Sequence, residues 1–219
     1  MPSETRPEPQ RAPARLYLVM PPLNDAAGLA DMLKAALDGA DVAAVLLHLP
    51  DAGDDVLIER IEAIVPAVQD NGAALLLAGH AGLVARAGAD GAHLHGIDAF
   101  NKAIETLKPE RIAGAGGLQS RHDAMLAAEA GADYVMFGEC DSSGQRPAFA
   151  AIEERIAWWA EVFQVPCVGC AEGLDEIAPL VAASADFVAL SDCIWNDARG
   201  PAAALKVAGA NLRIPETAA

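Results

Sequence analysis

Positive charge is scarce in this chain. Lys and Arg total 15 against 31 Asp and Glu, a formal net charge of −16 over 219 residues. Such a surface repels phosphodiester backbones and anionic lipid headgroups, which excludes nucleic acid and membranes as partners. It also means that a strongly anionic small molecule needs a local positive site; otherwise the acidity reads as a solvated, soluble surface. Long apolar runs are missing too. No segment has the length of a membrane span, and residues 1–14, rich in Pro, Glu and Arg, lack the apolar stretch of a signal peptide and read as a floppy leader. Cysteine is sparse: Cys140, Cys167, Cys170 and Cys193 are too few for a disulfide scaffold and point to the cytoplasm.

What is present is enough apolar material for one sizeable core. The chain is 53% hydrophobic, with a mean hydropathy of +0.23, and residues 15–210 read as one domain followed by a tail at 211–219. Short apolar runs at 16–20, 42–48, 74–78, 91–95, 111–114, 134–138, 166–169 and 187–191 are apolar almost throughout, as parallel strands buried on both faces require. Between them, 26–37, 57–69, 100–107, 120–130, 149–163 and 174–183 have helical patterning. The repeat is also literal: Gly88-Ala89-Asp90, Gly131-Ala132-Asp133 and Ser184-Ala185-Asp186 each precede a strand. Eight strand–helix units predict a (β/α)₈ TIM barrel. An open doubly wound sheet is the alternative, disfavoured because it usually has fewer strands and because no Gly-rich dinucleotide fingerprint follows the first strand.

In a barrel, function sits at the carboxyl ends of the strands. His48, His80 and His95 end three neighbouring strands there, where they either converge on a transition metal with Asp98 or Cys170, or serve as rim histidines bonded to loops and water; the second reading is preferred. Cys167 and Cys170 have the spacing of a redox pair but lie on a strand, so Cys167 reads as packing and Cys170 as a rim residue. Gly114-Ala115-Gly116-Gly117 either cradles an anion with its amides or provides a permissive turn, with Ser120 capping the next helix. Trp158, Trp159 and Phe163 on one helix suggest core packing first and a homodimer contact second.

Leu16-Tyr17-Leu18-Val19, Gly88-Ala89-Asp90-Gly91-Ala92-His93-Leu94 and Gly131-Ala132-Asp133-Tyr134-Val135-Met136-Phe137-Gly138, in this order, resemble the thiamine phosphate synthase/TenI family over about 16–195. The resemblance implies a barrel and, for the synthase branch, Mg²⁺-assisted joining of a pyrimidine methyl diphosphate to a thiazole phosphate. The motifs that such chemistry needs are altered. The family's second-strand Gln-x-Arg-Glu-Lys falls on Leu46, His48, Leu49 and Pro50, and its third-strand Asn-Asp falls on Ala78 and Gly79. Asp98 matches the second metal-binding Asp, and one carboxylate is a poor Mg²⁺ site. The fifth-strand Ser becomes Gly117, Ser143 and Arg146 match the Thr-x-Thr-Lys loop, the seventh-strand Gly-Gly falls on 170–171 or 171–172, and the eighth-strand Ser becomes Asp192. The lost cations argue against synthase activity.

Where the TenI branch, a thiazole tautomerase, has a His after the sixth strand, this sequence has Glu139. Partial burial there would raise its pKa and suit it to shuttle a proton, while the bland alternatives are a helix cap or a pair with Arg146. The first expectation is thus a diverged family member binding a thiazole- or thiamine-related small molecule, with Glu139 as acid/base and Asp98 and Arg146 orienting the ligand. Ser143, Gly116, Gly117, His48, His80, His95 and Asp192 complete the expected binding rim. The alternatives are a non-catalytic ligand-binding or regulatory barrel and a metal-dependent enzyme using the rim histidines. No cofactor is assigned, and whether the chain is an enzyme stays open.

Overall fold

A computed structural model describes residues 12–22, 28–141 and 143–213. Most of the expected leader (1–11), the end of the expected tail (214–219) and the start of the expected helix 26–37 lie outside the described residues. Eight parallel strands close into a barrel in sequence order, β8 pairing back onto β1, so the open-sheet alternative falls. They are β1 Arg15–Val19, β2 Val42–Leu47, β3 Ala74–Ala78, β4 Gly91–His95, β5 Ile112–Gly116, β6 Tyr134–Phe137, β7 Cys167–Ala171 and β8 Phe187–Leu190.

Alternation along each strand divides the apolar residues into two cores. Leu18, Val45, Leu77, Leu94, Val135 and Val188 point outward and pack under the helices. Tyr17, Leu46, Leu76, Tyr134, Met136 and Val168 fill the barrel's inside. The helical layer comprises α1 Leu29–Leu37, α2 Asp54–Glu62, α3 Val65–Gln69, α4 Ala81–Val84, α5 Ile97–Leu107, α6 Arg121–Glu129, α7 Phe149–Val162, α8 Ile177–Ala182, α9 Asp192–Trp195 and α10 Pro201–Asn211.

Several boundaries differ from the pattern-based expectation. The expected helix 57–69 is two helices, because Pro66 has no N–H to continue a ladder and sits in the first turn of α3. β5 continues to Gly116, two residues past the expected end, since paired glycines read as turn in isolation yet hydrogen-bond normally against β4. The Ala-rich α10 shows little amphipathic contrast in sequence, yet it buries Ala204, Leu205 and Ala208. Ser120 caps α6 in a reciprocal capping box with Asp123, as expected.

The repeated Asp does more than form a turn. Asp90, Asp133 and Asp186 accept from the backbone N–H groups of Leu75, Ala113 and Cys167 at 2.7, 2.7 and 2.8 Å. Each carboxylate therefore ties its own strand to the start of the preceding one, at the end of the barrel opposite the rim. The residue two before each Asp has positive φ: Gly88 at 72°, Gly131 at 101° and Ser184 at 72°.

Candidate active site

Strand parity sends His93 and His95 of β4 inward while Ala92 and Leu94 face the helices. His93 is 3% exposed, the one buried polar residue among those described, and sits in a chain of hydrogen bonds inside the barrel. The Tyr17 and Tyr134 hydroxyls lie 2.9 Å apart, the Tyr134 hydroxyl is 2.9 Å from His93 Nδ1, and His93 Nε2 is 3.1 Å from Glu139 Oε1. Burial pushes both phenol pKa values up, so both keep their protons. Two phenol protons must serve two bonds. The arrangement that leaves no buried O–H without an acceptor runs Tyr17 to Tyr134 to His93 Nδ1, and His93 then donates from Nε2 to the Glu139 carboxylate.

Glu139 follows Gly138, whose φ of 100° turns the chain at the end of β6. Its side chain is 20% exposed, and its second oxygen accepts the Gly117 N–H at 2.6 Å. Burial alone would raise its pKa, but the His93 imidazole, the Gly117 amide and His95 outweigh burial and leave it below the ordinary carboxylate value. The expected raised pKa is thereby corrected: partial burial is real, and hydrogen-bond donors overrule it. Glu139 neither caps a helix nor pairs with Arg146; its partners are His93 and Gly117.

Glycines in β5 make room for this network. A Cβ on Gly116 would overlap the Glu139 carboxylate and the His93 ring, and one on Gly114 would overlap the Tyr134 ring. Gly117, at φ 59°, lies against the His95 ring. The Gly-rich run is therefore space for side chains, and its one amide aimed at an anion is taken by Glu139.

Above the network the barrel mouth opens into two adjoining lobes of about 580 and 470 Å³, which share His95, Glu139, Cys140 and Arg146 among their walls. Gly117 lines the first lobe, and His48, Cys170 and Asp192 line the second. Partial desolvation at the mouth pushes the His48 pKa down, and burial pushes the Cys170 thiol up.

Arg146 lines the mouth but is already engaged. It donates to both Glu176 carboxylate oxygens at 3.1 and 2.7 Å and to the Cys170 carbonyl at 2.8 Å, and it pairs with Glu172 at 3.3 Å.

Four expected rim residues lie off the lobes. Asp98 is exposed on the first turn of α5, because Gly96 (φ 87°) bends the chain away directly after β4; there its charge suits the helix N-terminus. His80 Nδ1 lies 2.8 Å from the Ala78 carbonyl in its own loop. The Ser143 hydroxyl donates to Asp141 at 2.6 Å in an exposed turn. Gly116 lies beneath the lobes, under Glu139. Among the described residues no three His, Cys, Asp or Glu side chains are grouped to hold a metal, so the rim-histidine reading loses its geometry. Mg²⁺, implied by the resemblance, does not fit either: Ala78 and Gly79 offer no side-chain oxygen, and the exposed Asp98 lines neither lobe. Of the aromatic trio, Trp159 is fully buried and Phe163 stacks on it at 4.1 Å, while Trp158 is partly buried beneath the Arg121 guanidinium.

As site residues, His93, Tyr17, Tyr134 and Glu176 are missed by sequence reasoning. The parity of Gly91-Ala92-His93-Leu94-His95 signals that His93 faces inward. The Gly114–Tyr134 pairing across β5 and β6 has no local signal.

The family described as Thiamine monophosphate synthase matches residues 16–194. The chain is 42% identical over 194 residues to the thiamine-phosphate synthase of Rhodospirillum centenum, covering 87% of this chain and 94% of that protein. It is 37% identical over 206 residues to the thiamine-phosphate synthase of Hyphomonas neptunium, covering 90% and 92%. The fold superposes on a thiamine phosphate pyrophosphorylase from Pyrococcus furiosus with TM-score 0.73 over 90% of this chain and 95% of that one; at 16% identity the likeness speaks for the fold alone.

Proposed function

The chain belongs to the thiamine monophosphate synthase family, and from that premise we propose that it binds a thiazole- or thiamine-related small molecule in the barrel mouth and moves a proton on it with Glu139. The observation that carries this reading is the position of the Glu139 carboxylate at the seam of the two lobes, fixed by the His93 imidazole and the Gly117 amide. A carboxylate held ionised accepts a proton from an acidic C–H or N–H of an electron-poor ring. Returning that proton to another atom of the same ring completes a tautomerisation with no change of oxidation state. His93 offsets the transfer by donating to the same carboxylate, and the two tyrosines hold its tautomer as positioning residues. The cytoplasm is the proposed setting, since reducing conditions keep four cysteines as thiols.

The test is ring-proton exchange in D₂O, followed by NMR on thiazole and thiamine probes. Exchange should be catalysed by the wild type and fall by about 10²–10⁴-fold in Glu139→Gln. Saturable binding without exchange moves the assignment to the second reading, a non-catalytic ligand-binding barrel, which the lowered basicity of Glu139 favours. The relatives' names favour the synthase reaction itself. Condensation of the pyrimidine diphosphate with the thiazole phosphate, assayed with Mg²⁺, would displace the proposal if it proceeds.

A further inference from the structure

A barrel mouth binds phosphate with backbone amides and arginines directed at one point. Here those donors exist, and the protein's own carboxylates and carbonyls already hold them. At the end of β5 the Gly117 N–H donates to Glu139 Oε2 at 2.6 Å. Past β7 the Glu172 N–H donates to Glu176 Oε2 at 2.8 Å. Arg146 makes a two-pronged pair with the same Glu176, whose side chain is 18% exposed, and a second contact with Glu172. Arg155, the other arginine in the lobe walls, donates to the Leu118 carbonyl at 3.1 Å. Glu139, Glu172 and Asp192 add carboxylates to the wall of the second lobe, and Asp141 to the first. An entering phosphate would have to displace a charged, hydrogen-bonded carboxylate at each amide and then sit beside others.

We propose that the mouth excludes phosphate and selects a phosphate-free, positively charged heterocycle, because internal carboxylates occupy the Gly117 and Glu172 amides and Arg146, and backbone carbonyls engage Arg155, the groups that would otherwise take an anion. This rests on the preceding reading only in placing the ligand in the barrel mouth. The nearby carboxylates offer such a cation long-range attraction, and Glu139, at the seam of the lobes, is the one positioned to meet it.

The experiment has two arms, both followed by calorimetry and by NMR of the full chain. In the first, inorganic pyrophosphate is titrated. The wild type should show no saturable binding at millimolar concentration, while Glu176→Ala, which releases Arg146 and the Glu172 amide together, should gain at least about tenfold in affinity. Glu176→Gln keeps the hydrogen-bond geometry and removes the charge, so it serves where the alanine variant does not fold; it should gain in the same direction and less. Wild-type binding of pyrophosphate with shifts at Gly117 and Arg146 overturns the inference, and so does a folded Glu176 variant that gains nothing. In the second arm, the thiamine cation should bind at least about tenfold more tightly than its monophosphate ester. Equal or tighter binding of the ester overturns the inference. If neither binds while the first arm behaves as stated, the exclusion of phosphate stands and the thiamine-related ligand of the preceding section is what fails.

Discussion

At Glu139, burial and hydrogen bonding act in opposite directions, and the donors win. The sign of the pH dependence follows. A carboxyl whose folded-state pKa lies below its ordinary value stabilises the fold above that ordinary value, and this contribution disappears as pH falls through the lowered one. The stability difference between wild type and Glu139→Gln should therefore be largest near neutrality and shrink in acid, read from urea unfolding at stepped pH. A difference that grows in acid would show that burial dominates after all. Much of this site was legible as residue types: Glu139, Arg146, His48, His95, Gly117 and Asp192 all line the mouth. Their partners were not legible. His93 lies 46 residues from Glu139 and Tyr17 lies 117 from Tyr134, so only strand closure brings them into contact.

Elements carry their own signals, and the most regular of them is the Asp that opens alternate strands. The sequence shows the repeat; the structure shows that Asp133 bonds the Ala113 amide, whose residue is 0% exposed. Replacing Asp133 with Ala should leave that buried N–H without its acceptor and cost about 1–3 kcal/mol, seen as a lower urea midpoint at unchanged slope. A negligible shift would mean that water reaches the strand end. The copy before β8 has Ser184 where those before β4 and β6 have Gly, and the chain still takes positive φ there, so closure of the β7–β8 turn overrides residue preference. Helix boundaries were read less well than strands. Strands announce themselves by dense apolar runs, whereas α10 is helical through Ala propensity and docking against α1 and α9 rather than through a two-sided pattern.

Over the whole molecule the dominant physical fact is charge. With a formal net charge of −16, repulsion among carboxylates acts across the surface, while exposed pairs such as Arg86–Asp54 and Arg121–Glu154 return little. Raising NaCl from about 0.01 to about 0.15 M shortens the screening length from roughly 30 to roughly 8 Å. The melting temperature should rise over that range in scanning calorimetry, and a fall would show that attractive pairs outweigh the excess negative charge. The same field speeds the approach of a cationic ligand at low salt and slows that of an anion.

The amino-acid order alone determined that eight apolar segments alternate with helices, that they close as a barrel of this family, and which residue types reach its rim. Those features depend on local periodicity and short motifs, which a linear reading captures. Tertiary structure alone decided which donors remain available to a ligand. Glu139 on Gly117 and Glu176 on Arg146 are pairings across different strands and loops, and the charge a pocket offers is what remains after such pairings are made.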